Sequence, residues 1–155
     1  MGVGPSTKET SLHHFRDPLL DVLSNDTDLD LAGVIIVGTP QDNVEKNRVG
    51  QRTAQILEAM RVDGCIVSCD GWGNSHVDYA NTFEEIGSRE IPVVGVTFNG
   101  TVGNFVVSNK YMDTIVDMSK ANGTETEVVG ENAVDELDAK KAVAFLKLKM
   151  RKAKK

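Results

Sequence analysis

A chain of 155 residues has room for one domain with a real core and is short for two. Hydrophobic residues at 40% and charged residues at 26% are ordinary for a soluble globular protein. A formal net charge of -6 argues against a nucleic-acid partner, and no apolar run approaches the ~20 residues that span a bilayer, so neither nucleic acid nor membrane is expected as a partner.

Residues 1–11 read as a flexible arm, and their polar character lacks the apolar region of a signal peptide, so a cytoplasmic location is expected. Residues 17–23 suit a short helix. The run GVIIV at 33–37 is near-continuous and β-branched, the pattern of a strand buried on both faces of a parallel sheet. Thr39 as a cap, Pro40 at the first helical position and Asp42 in the first turn then start a helix. Its apolar stripe is Val49, Thr53, Ile56, Leu57 and Met60, with Glu45, Lys46, Arg48 and Arg52 facing elsewhere.

A second strand is predicted at 64–68. Cys65 and Cys69 lie four apart there, roughly 13 Å along an extended chain and beyond disulfide reach, so both read as packing residues. The loop from Asp70 to His76 follows, holding the only tryptophan, Trp72. Helical spacing over 76–88 repeats Val77, Ala80, Phe83 and Ile86, and a third strand is predicted at 92–98. The spacing of Met112, Ile115, Val116 and Ser119 predicts a helix over 110–120, and 127–129 suits an edge strand flanked by glutamates. A last helix over 135–152 carries Leu137, Ala144 and Leu148 beside Ala142, Phe145 and Leu146. The basic tail from Lys147 is read as cations complementing a helix C-terminus, with partner docking as the alternative.

Strand and helix alternate four times. The expected fold is therefore α/β: a single three-layer domain over 12–155 with a roughly four-stranded, largely parallel, Rossmann- or flavodoxin-like sheet. In such a sheet ligands bind beyond the carboxyl ends of the strands. The loops there would place Thr39, Gln41, Asp42 and Asn43, then Asp70, Trp72, Asn74 and His76, then Asn99, Thr101 and Asn104, and finally Glu131 and Asn132 along one edge. Asp70, Asn74 and His76 are the candidates for chemistry, since a histidine near carboxylates can be tuned for proton transfer; a capping or partner-contact histidine is the alternative. Trp72 at a rim suits an interface or packs on its own helix. The glycines at 100 and 103 could let backbone N–H groups surround an anion, but the loop matches neither the dinucleotide fingerprint nor the phosphate-loop lysine pattern. No metal-ligand spacing exists, and no cofactor is expected.

The strings at 34–43, 52–54, 70–78, 109–117 and 124–132 together resemble the D-proline reductase group, which is related to the component B proteins of glycine, sarcosine and betaine reductases. The resemblance covers about residues 15–152. Within the group it is strongest to a small stabilising or accessory protein, itself similar to the carboxyl-terminal part of the reductase proprotein. It implies a place in the reductive ring cleavage of D-proline to 5-aminopentanoate by amino-acid-fermenting anaerobes, the Stickland type of metabolism. That reaction uses a pyruvoyl group, formed by self-cleavage before a cysteine, and a selenocysteine in a separate subunit. This chain has no selenocysteine, and its two X–Cys bonds, Gly64–Cys65 and Ser68–Cys69, fall in a predicted buried strand. The expectation is an accessory component of an oxidoreductase complex, non-catalytic on its own, with the reductase subunits or a second copy as partner. The alternatives are a subunit lending Asp70, Asn74 and His76 to a shared active site, or a sensor of proline or an anion.

Overall fold

The computed structural model describes residues 18–69, 73–97, 105–118 and 134–154. In chain order the elements are α1 (Pro18–Ser24), α2 (Asn43–Met60), β1 (Cys65–Cys69), α3 (Asn74–Gly87), β2 (Val93–Thr97), β3 (Ile115–Asp117) and α4 (Glu136–Ala153). The three strands are parallel in the order β1-β2-β3, with Cys65 opposite Val93 and Gly95 opposite Ile115.

Alternation along the strands splits the core in two. Val94, Val96 and Val116 turn to one face, where Leu19 of α1 and Ala139, Ala142 and Leu146 of α4 cover them. Val93 and Ile115 turn to the other face, against Tyr79, Phe83 and Ile86 of α3, with Ala54 and Leu57 of α2 behind. β2 is buried at every position, as a central strand between two helical layers must be.

The α/β architecture, the strands near 65 and 93, and the helices near 18, 43, 74 and 136 agree with the sequence reading. Several details do not. The sheet has three strands among the described residues, not four: residues 33–37 join no ladder, and of them only Ile35 packs against the core cluster that α2 and α3 build. The strand expected at 127–129 and the arm at 1–11 lie outside the described residues.

The helix expected over 110–120 is instead a turn followed by β3. Asn109 makes that turn: its carboxamide oxygen accepts from Tyr111 N–H at 3.0 Å while its amide donates to the Ala80 carbonyl at 2.8 Å. A side chain that takes over local backbone bonds competes with helix formation, and the β-branched run at 114–116 then pairs with β2.

Helix α2 starts one turn later than expected. Asp42, not Thr39, is its cap, accepting from Val44 N–H at 2.9 Å and Glu45 N–H at 3.1 Å. Its contact stripe is also rotated: Lys46, Gly50, Thr53, Ala54 and Leu57 are buried, while Ile56 and Met60 are exposed. The small residues let α2 approach α3 closely; a Cβ at Gly50 would lie 2.0 Å from the Asn81 side-chain nitrogen. On α4 the buried stripe is Asp138, Ala139, Ala142, Val143 and Leu146, leaving Leu137, Phe145 and Leu148 outside. Asp135 and Asp138 form a capping box at its start. The basic tail is helical through Ala153, and Lys147 pairs with Asp26 at 2.6 Å and Asp28 at 2.9 Å, tying α4 to the loop after α1.

Candidate functional site

The carboxyl ends of the three strands lie in register. Cys69, Thr97 and Asp117 are successive Cα partners, so a thiol, a hydroxyl and a carboxylate form one row across the sheet edge. Their common face follows from Gly95. A Cβ there would meet the Tyr79 hydroxyl at 2.2 Å and Phe83 at 2.9 Å, so this position faces α3. Two residues on, Thr97 returns to the same face, as Asp117 does after Ile115.

The first turn of α3 lies at this end of the sheet. His76 is 2% exposed and its ring meets Phe105 edge-on at 5.4 Å, while Tyr79 stacks parallel on the same Phe105 at 6.2 Å. Gly73 is the N-cap and supplies no side-chain hydrogen bond, so among the described residues the amino end of α3 has no side-chain cap. Thr97 is fully buried, and its Oγ1 finds no hydrogen-bond partner among the described residues.

Behind this row a buried ion pair ties α2 to α3. Lys46 Nζ lies 2.5 Å from Asp78 Oδ2, with both side chains almost wholly buried. The second carboxylate oxygen of Asp78 has no partner among the described residues. Asn81 donates to the Lys46 carbonyl at 3.2 Å, and at the outer end Asn74 donates to Gln41 at 3.1 Å. The first turn of α2 and the first half of α3 are thereby linked at three points.

Of the residues expected on this edge, Gln41 and Asn74 meet directly, Asp42 serves as a cap, Thr39 and Asn43 are exposed, and His76 is buried. Asp70, Trp72, Asn99, Thr101, Asn104, Glu131 and Asn132 lie outside the described residues. Phe105, rather than a tryptophan, provides the described aromatic wall. Sequence reasoning missed Lys46, Thr97, Asp117 and the placement of Cys69. The spacing 46-50-54-57 through small residues marks the contact face of α2 and was the available signal for Lys46.

Among the described residues no three His, Cys, Asp or Glu side chains are grouped to hold a metal. Neither X–Cys bond fits a self-cleaving peptide that could yield a pyruvoyl group. Cys65 N–H donates to the Pro92 carbonyl at 2.9 Å, and burial pushes its thiol up to about 12, far from a thiolate nucleophile. Cys69 is held in the ladder opposite Thr97. Burial also raises the Tyr79 phenol well above its usual value, with Cys69 adding to the shift, so Tyr79 stays protonated and packs.

The model of the glycine/sarcosine/betaine reductase component B subunits matches residues 2–141. The chain belongs to this family. It is similar to the D-proline reductase proprotein PrdA of Acetoanaerobium sticklandii, with 44% identity over 146 residues, which is 94% of this chain and 23% of the relative. It is also similar to the sarcosine reductase complex component B subunit alpha of Peptoclostridium acidaminophilum, with 28% identity over 78 residues, 49% of this chain and 18% of that one. The chain thus spans less than a quarter of the length of the curated relatives it matches. No solved structure gives a significant match. No helix among the described residues is long and apolar enough to cross a membrane.

Proposed function

We propose that this chain is an accessory, stabilising component of a D-proline reductase system, acting by packing against reductase subunits or a second copy of itself. The observation that carries the reading is the extent of the likeness: it takes in nearly all of this chain but 23% of the proprotein. One section of a larger machine is represented here. Two X–Cys bonds that do not fit self-cleavage favour support over ring opening.

The test is co-purification of the affinity-tagged chain with the D-proline reductase subunits, followed by intact-mass measurement. The reading expects a chain of 16.8 kDa and co-eluting reductase. Two fragments split before Cys65 or Cys69 would sink it, and so would a reductase that never associates.

The row at the strand ends favours a second reading, in which this chain lends a binding edge to an active site shared with a partner. A fully buried hydroxyl and an α3 start that have, among the described residues, no hydrogen-bond partner and no side-chain cap are donors suited to a small polar ligand. Thermal-shift titration with D-proline at millimolar concentration tests it, because a ligand of the native state raises the melting temperature. Thr97→Val should leave the free chain at least as stable and remove the shift; no shift in the unmodified chain counts against this reading.

A further inference from the structure

Helix α4 carries two apolar faces. The inner one, with Ala139, Ala142 and Leu146, covers the sheet. On the outer one Leu137 is 60% exposed, Leu148 49% and Phe145 42%. Leu137 and Leu148 stand three turns apart at about 3.6 residues per turn, so they lie on one line along the helix. Phe145 and the exposed Ala144, three and four positions before Leu148, fill the turn beside it. Single exposed leucines are ordinary, but a row of apolar side chains bounded by charge marks a contact surface.

The boundary is basic. α4 holds six cations against two carboxylates, although the whole chain has a net charge of -6. Lys140 and Lys141 flank the row and are already held, by Glu136 at 2.5 Å and by Asp138 at 3.5 Å. Arg151 and Lys152 close its carboxyl end, and neither pairs with a carboxylate among the described residues. From Leu137 to Lys152 the row runs about 22 Å, at ~1.5 Å per residue, and it ends in those two unclaimed cations. Two-fold pairing of this face with itself would set cations against cations. An anionic lipid surface would attract the cations but repel the acidic remainder of the chain. A protein surface with an apolar centre and carboxylates at one end satisfies both features.

We propose that the outward face of α4 docks a partner protein whose matching surface is apolar at its centre and acidic where it meets Arg151 and Lys152. Leu137, Phe145 and Leu148 are the apolar contacts. The inference rests on the proposed accessory role, and under that role the partner is a reductase subunit. The same two cations also complement the helix dipole, a role confined to the stability of the free chain, so binding separates the two.

Surface plasmon resonance on immobilised, assembled D-proline reductase tests it. Leu137→Glu and Leu148→Glu should each raise the dissociation constant about 30-fold or more, the loss expected of a central contact. Both substitutions suit the helix: glutamate favours the first turn, and at 148 it precedes Lys152 by four positions. Circular dichroism and melting temperature should therefore stay those of the parent. The double variant Arg151→Gln, Lys152→Gln should weaken binding at low salt and flatten its salt dependence. Cations that serve the helix dipole alone would leave both unmoved. Reductase binding unchanged in all three variants would overturn the docking face and leave the accessory role standing. A parent chain that never binds the reductase would overturn both. Flotation of the parent, but not of Leu137→Glu, with phosphatidylserine vesicles would give the face to lipid and overturn the protein partner. A mass of twice 16.8 kDa by light scattering, halved by Leu148→Glu, would give it to a second copy and overturn the acidic partner likewise.

Discussion

Replacing Lys46 by Met is the most informative single perturbation of the structure. The pair with Asp78 is 2.5 Å long, and the two side chains are only 1% and 6% exposed, so water screens it little. Met matches the length of the lysine stem and keeps helix propensity, so the change removes the ammonium and little else. What remains is a carboxylate at a buried site, one of whose oxygens already lacks a partner among the described residues. Breaking a buried pair by removing one partner costs about 3–5 kcal/mol, a large share of the ~5–15 kcal/mol that holds a domain together. Urea denaturation followed by circular dichroism measures it. In the double variant Lys46→Met, Asp78→Leu both charges are gone, and stability should return to within ~1 kcal/mol of the parent. A single variant costing less than ~1 kcal/mol, or a double variant showing the simple sum of the two losses, would refute the claim that this pair clamps α2 to α3.

Gly95→Ala should cost at least the ~1–3 kcal/mol of core overpacking, read from the same denaturation curves, because the new methyl displaces Tyr79 and through it Phe105. Burial works to raise the Asp113 carboxyl, but the Lys149 ammonium outweighs it and holds the group below its ordinary 3.8. That contribution is present above pH 3.8 and is lost as pH falls through the lower folded value, so Lys149→Met should flatten the acid limb of a plot of urea midpoint against pH. A hydrogen bond from Lys147 likewise lowers Asp26, while its bonds to Asp26 and Asp28 raise Lys147 above 10.5; the lysine's contribution is present below pH 10.5 and lost as pH rises through the folded value. These pairs are partly exposed to solvent, so added salt should shrink both limbs. Cys65, pushed up to about 12 by burial, should resist iodoacetamide at pH 8 in the folded chain and react on unfolding, as peptide mass mapping will show.

Much of the fold was legible because strong local signals and tertiary structure agreed. The run at 93–97 is β-branched and buried on both faces, and the Asp135 capping box opens α4 where polar residues give way to helical spacing. The failures have physical causes. Met112, Ile115 and Val116 share a helical spacing, but Asn109 diverts the local backbone bonds and β2 claims the β-branched residues. The larger apolar residues of α2 put Ile56 and Met60 on its apparent stripe, whereas close helix packing selects the small ones, Gly50 and Ala54. Lys46 falls off the apolar stripe of the sequence because charge is normally a surface signal; its partner Asp78 is 32 residues away and no local pattern links them. His76 and Asn74 stand out in the sequence because they sit where a strand gives way to a helix. Thr97 and Asp117 do not, since only the register of the sheet brings them beside Cys69.

The assignment to a D-proline reductase system rests on likeness, and native mass spectrometry tests it most directly. The intact 16.8 kDa chain, mixed at micromolar concentration with assembled D-proline reductase, should appear bound to it in a fixed ratio. Free chain and free reductase side by side, or a chain recovered in two pieces, would contradict the account.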